Sequence, residues 1–182
     1  MANTSTSIMQ KVILIVLVSV VFGGCSERGR SEFIEVKFKQ YHLSTSRLDT
    51  IHLKDSATYV LEKREFDEKV VYNLKWLNES LTAFDHVIKG DSLFFGNQYC
   101  RVIDTISLPL GTNKMKFFVS EFDELNAADE ESYLYWNFEY GLLGQYNWSM
   151  GPVLLFEPKP LRGISDQLYT HIVNEEKTKR KR

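Results

Sequence analysis

The stretch Tyr133-Leu134-Tyr135-Trp136-Asn137-Phe138-Glu139-Tyr140-Gly141-Leu142-Leu143-Gly144 decides the fold class. Leu134, Trp136 and Phe138 alternate with Tyr133 and Tyr135, the period of two that places successive side chains on opposite faces of a strand. Gly141 then offers a turn conformation that residues with a Cβ adopt reluctantly. A second apolar run, Leu142 to Trp148, follows at once, so the segment reads as a hairpin of two short strands.

Working outward, the same signature recurs along most of the chain. Ile34, Val36 and Phe38 alternate with Glu35, Lys37 and Lys39. Tyr59 to Phe66 and Val70 to Trp76 flank Asp67-Glu68 in the manner of a hairpin. Leu93 to Phe95, Tyr99 to Ser107, Lys114 to Phe122 and Val153 to Phe156 are further strands, punctuated by Gly96-Asn97, Gly111-Thr112-Asn113 and Gly151-Pro152. Glu79 to Ile88 fits either a strand or a short helix, and Asn126 to Glu131 reads as an exposed loop. After Pro158 and Pro160 the period changes. Ile164, Leu168, Ile172 and Val173 recur at helical spacing, with Ser165 or Asp166 in place to cap the first turn. The expectation is α+β: a mainly antiparallel, curved sheet with a helix from Ser165 to about Glu176 packed on it.

The N-terminal stretch gives an address. Lys11 precedes the apolar run Val12 to Phe22, inside the window of about 7 to 15 residues expected of a secretory signal core and short of the about 20 needed to span a bilayer. Phe22-Gly23-Gly24-Cys25 resembles a bacterial lipobox, with Phe22 where leucine is usual. The resemblance implies a lipoprotein signal peptide over 1–24, acylation of the Cys25 sulfur, and a tether over 25–32 leading to a single domain over 33–176. Acyl chains contribute about 0.8 kcal/mol per buried methylene, so two or three would hold the protein on a membrane without a spanning helix. Ser26 follows the cysteine; the absence of aspartate there implies, by the same resemblance, the outer membrane.

Two further features are similar to small lipoproteins of Bacteroidota. One is the aromatic hairpin itself, whose Glu139-Tyr140-Gly141-Leu142 turn resembles a unit of uncharacterised members of that group with curved antiparallel sheets. The other is the tripeptide of Asp, Ser or Thr, and an apolar residue at Asp49-Thr50-Ile51, Asp55-Ser56-Ala57, Asp91-Ser92-Leu93 and Asp104-Thr105-Ile106. It looks like an O-glycosylation acceptor and implies sugars on Thr50, Ser56, Ser92 and Thr105. Asp-Ser and Asp-Thr also favour turns that lead into strands, a reading that needs no sugar.

Composition narrows function mainly by exclusion. The formal net charge is −2, which disfavours a general nucleic-acid binder. The basic tail over 177–182 is either solvated or drawn to anionic lipid. With Cys25 acylated, Cys100 has no intrachain partner and reads as a buried, inert thiol. His42, His52, His86 and His171 show no metal-ligand spacing, and neither a phosphate loop nor a nucleophile elbow is present. No catalytic, metal or cofactor residue is therefore assigned, and the protein is expected not to be an enzyme. Two roles remain: a lipid-anchored envelope module binding a lipid or other apolar ligand, or a structural partner in an outer-membrane complex. In both, Tyr133, Tyr135, Trp136, Phe138, Tyr140 and Trp148 are the candidate ligand or interface residues.

Overall fold

The computed structural model describes residues 30–43, 52–77, 82–123 and 131–179. Ten antiparallel strands follow one another around a closed barrel: β1 (Arg30–His42), β2 (His52–Glu65), β3 (Lys69–Trp76), β4 (Thr82–Lys89), β5 (Ser92–Phe95), β6 (Gln98–Leu110), β7 (Asn113–Phe122), β8 (Ser132–Asn137), β9 (Gly141–Asn147) and β10 (Pro152–Pro158). β10 returns to pair with β1, from Val36↔Pro158 to His42↔Pro152. The sheet expected to be merely curved is thus closed, which removes the edges an open sheet would expose. Within the Glu79 to Ile88 interval, Thr82 to Ile88 belong to strand β4, while Glu79 to Leu81 lie outside the described residues. β1 begins at Arg30, within the segment read as tether, while Cys25, Thr50 and most of the Asn126 to Glu131 loop lie outside the described residues.

Alternation sorts the side chains into an inner and an outer set. The inner set meets across the lumen, where Phe84 on β4 packs edge-on against Phe156 on β10 at 5.7 Å although those strands are not neighbours. Phe38 joins them from β1, contacting Tyr59 at 5.5 Å and Phe156 at 5.6 Å. Tyr72, Leu93, Leu134, Trp136 and Phe156 are each at most 2% exposed. A void wide enough for a ligand would leave accessible surface on the side chains lining it, so around these described residues the lumen is filled by the chain itself.

The outer set is covered on one side only. After a short 3-10 turn (Lys159–Leu161), helix α1 (Ile164–Lys179) lies across the outside of β9 and β10 and against β6. Its buried stripe is Ile164, Leu168 and Ile172, the spacing read from sequence. Gly144 makes room for it: a Cβ there would sit 2.7 Å from Leu168 Cδ2. Contacts fix the helix direction. Asp166 meets Lys39 and Tyr169 meets Tyr41, so α1 runs in the same sense as β1, about 24 Å from end to end at 1.5 Å per residue. The start of β1 and the end of α1 therefore lie at opposite ends of the barrel.

Candidate functional site

The aromatic hairpin is formed as expected, with Gly141 at φ +70° opening β9. Its six candidate residues do not share one surface. Trp136 is in the lumen, fully buried, stacked on Phe118 at 4.8 Å and donating its indole N–H to Ser120 Oγ at 2.9 Å. Phe138 closes that cluster from the turn, 5.5 Å from Trp136, and is 45% exposed. Tyr135 and Tyr133 point the other way, Tyr135 beside His171 and Tyr133 beneath Lys179 Nζ at 4.6 Å. Tyr140 is buried in the turn, and Trp148 is half-exposed in the β9–β10 turn. Strand alternation dictates this division, since consecutive residues cannot serve one face.

One buried polar group of the lumen is a histidine that the sequence reading left without a role. His86 on β4 is 3% exposed and its Nε2 accepts a hydrogen bond from the Leu142 backbone N–H on β9 at 2.8 Å. That bond requires an unprotonated Nε2, so the proton of the neutral ring is on Nδ1. Burial lowers its pKa from the usual 6.5 to about 3. Tyr72 stacks on the ring at 4.9 Å, and its hydroxyl donates to the Phe138 carbonyl at 2.6 Å. Together the two side chains tie β3 and β4 to the β8–β9 turn straight across the barrel. The available signal was its place between Phe84 and Ile88, a polar residue in an inward-facing set.

A second buried polar group seats the helix. Glu157 Oε2 accepts hydrogen bonds from Ser165 Oγ at 2.6 Å, Gly163 N–H at 3.0 Å and Ser165 N–H at 3.3 Å. Lys39 then donates to Ser165 Oγ at 3.0 Å and Asp166 Oδ1 at 2.8 Å. The acceptor at the helix start is thus a carboxylate from β10, with Ser165 relaying between it and Lys39; the local cap expected at Ser165 or Asp166 is replaced by a long-range one.

Cys100 faces the lumen, and burial pushes its thiol up to about 11, away from thiolate chemistry. Of the tripeptide residues, Thr105 and Ser56 are exposed and Ser92 is half-buried. The Thr105 N–H is held by Asp104 Oδ1 at 2.6 Å, the local turn-like bond that Asp-Thr pairs favour. Grooves lie on the outer surface, among them one of about 440 Å³ between Leu108, Pro109 and the α1 residues Gln167, Thr170 and His171. Among the described residues no cluster of three or more His, Cys, Asp or Glu could hold a metal ion, and no helix is long and apolar enough to cross a membrane.

Comparison with protein-family models, with characterised proteins and with solved structures found no match.

Proposed function

We infer that this is a lipid-anchored protein of the bacterial envelope that works by contact with another envelope protein, as a structural or assembly partner. The single observation carrying this reading over an apolar-ligand carrier is the filled lumen, where Tyr72, Trp136 and Phe156 occupy the space a lipid would need. The available contact surface is at one end. Trp76 and Leu77 close β3, and Trp148 and Met150 lie in the β9–β10 turn; all four are 42–58% exposed. β3 and β9 both run in the sense of β1, so these side chains stand at the end away from Arg30, where the tether from Cys25 would enter. An exposed apolar group held away from the anchoring membrane suits a protein partner. The described start of the basic tail, Lys177 to Lys179 at the end of α1, also stands at that far end, which favours the solvated reading over attraction to the anchoring leaflet.

The test is native mass spectrometry of the protein extracted from its host, with palmitate labelling in parallel. Stoichiometric recovery of a second envelope protein, lost in a Trp148→Ser variant, is expected, together with label that disappears in Cys25→Ala. A co-purified lipid with no protein partner would overturn the contact role; persistent label in Cys25→Ala would overturn the anchor.

A further inference from the structure

Helix α1 leaves the outer wall of β3, β4 and β5 uncovered. Along β4, Phe84, His86 and Ile88 point inward, so Asp85, Val87 and Lys89 point outward. Register places Val71 on β3 and Phe94 on β5 directly beside Val87, and Tyr99 on β6 beside Phe94. The result is a continuous apolar row across four strands, ending in the 56%-exposed Tyr99 ring at 5.8 Å from Phe94. The same registers set Lys69 beside Lys89 on one side of the row, and Asn73 beside Asp85 on the other. A row with Lys69 and Lys89, an apolar row, and a row with the single acid Asp85 beside the neutral Asn73 therefore lie in sequence on one wall.

Such a pattern is complementary to itself. We propose that a second copy of this chain packs on this wall through an isologous interface whose two-fold axis lies in the interface plane, perpendicular to β4 and passing at Val87. That operation sets Val87 on its own counterpart, stacks each apolar row on the other, and brings Asp85 of each copy opposite Lys89 of its partner. Asp85 is exposed and makes no ion pair within its own chain among the described residues; Lys89 holds only a loose 3.6 Å contact with Glu68. Strands in barrels tilt about 35–45° from the barrel axis, so a two-fold perpendicular to β4 leaves both tethers on the same side, compatible with two anchors in one membrane.

Size sets the expected strength. Four strands about 4.8 Å apart and three rows about 7 Å apart give roughly 300–400 Å² per copy, under half the about 800 Å² per partner of a standard interface. The dimer is accordingly weak and concentration-dependent in solution. Anchoring two copies in one bilayer raises their effective concentration.

Sedimentation equilibrium of the purified full chain, in density-matched nonionic detergent over a range of micromolar concentrations, tests the interface. A reversible monomer–dimer equilibrium is expected. Asp85→Lys or Lys89→Asp alone places like charges opposite each other and weakens it about tenfold, and the double exchange restores it. Val87→Asp abolishes it. Because Asp85 and Lys89 are exposed, the exchange series remains decisive even if Val87→Asp disturbs folding, and thermal unfolding of each variant checks this. A chain that stays monomeric throughout, or a dimer whose strength ignores the single reversals or is not restored by the double exchange, overturns the proposal. Neither result depends on whether Cys25 is acylated.

Discussion

The Nε2 of His86 accepts the backbone N–H of Leu142 across the barrel, joining strands that are five places apart in the sheet order. An imidazolium cannot accept that bond, and a buried charge there would have no counterion in hydrogen-bonding contact. In the folded chain the group has its pKa lowered to about 3, while in the unfolded chain it titrates near the usual 6.5. The unfolded state therefore takes up the proton first. The stabilisation from neutral His86 is complete above pH 6.5 and is lost progressively as pH falls towards 3. Denaturant melts of the protein between pH 7 and 4 should show this fall, and a His86→Gln variant should show a flatter profile in that window with lower stability at pH 7. An unchanged profile in the variant would remove His86 as the source.

Two glycines of β9 separate backbone strain from simple crowding. At Gly141 the backbone is at φ +70° and an added Cβ would run into His86 and Tyr72. Gly144 has ordinary backbone and meets mainly the mobile end of Leu168. Gly141→Ala is expected to cost about 3 kcal/mol or more, through strain and overpacking together, and Gly144→Ala about 1 kcal/mol. Equilibrium unfolding of the pair gives the ordering, and equal costs would contradict it.

The Glu157 carboxylate has to satisfy two backbone amides and a hydroxyl at the start of α1. Glu157→Ala leaves those donors buried without an acceptor, at about 1–3 kcal/mol for each unsatisfied group before relaxation. Hydrogen exchange should accelerate first at Ser165 to Leu168 and leave β7 and β8 protected. Uniform acceleration would mean that the helix and the barrel unfold as one unit.

The strands and the helix were legible because their causes are local. Alternation at Ile34 to Phe38 and at Leu134 to Phe138, a four-residue spacing from Ile164 to Ile172, and Gly141 at a turn each act within a few residues. Closure was not legible. It depends on β10 finding β1, a pairing between Phe156 and Phe38 separated by nearly the whole domain, and no short pattern distinguishes an open curved sheet from a closed one. The grouping of the six aromatic residues failed for a related reason: alternation separates Tyr135 from Trp136, but only the position of α1 shows that the outer face at Tyr135 is buried as well. His86 and Glu157 passed unnoticed because a polar residue in a strand reads as solvent-facing until its neighbours are known.

Glu62 on β2 supplies the second acid-sensitive element, on the outer wall. The residue is 5% exposed, and its carboxylate accepts bonds from Arg64 at 2.8 and 2.9 Å and from Lys75 at 2.6 Å. The Arg64 bonds first, and Lys75 next, hold its pKa down to about 2 from the ordinary 4.5. A depressed carboxyl contributes stability that is present above the unfolded value near 4.5 and is lost as pH falls through about 2. Because the Arg64 and Lys75 side chains remain 44% and 30% exposed, solvent screens much of the attraction, and Glu62→Gln should cost only about 1 kcal/mol at neutral pH. Its loss begins near pH 4.5, inside the His86 window of 6.5 to about 3, so in one titration it shows as a steeper fall. With both residues intact, the stability curve should begin to fall below pH 6.5 and steepen below 4.5; Glu62→Gln should remove only the steepening, and a variant that also moved the onset at 6.5 would show that the two sites are coupled through β2 and β3.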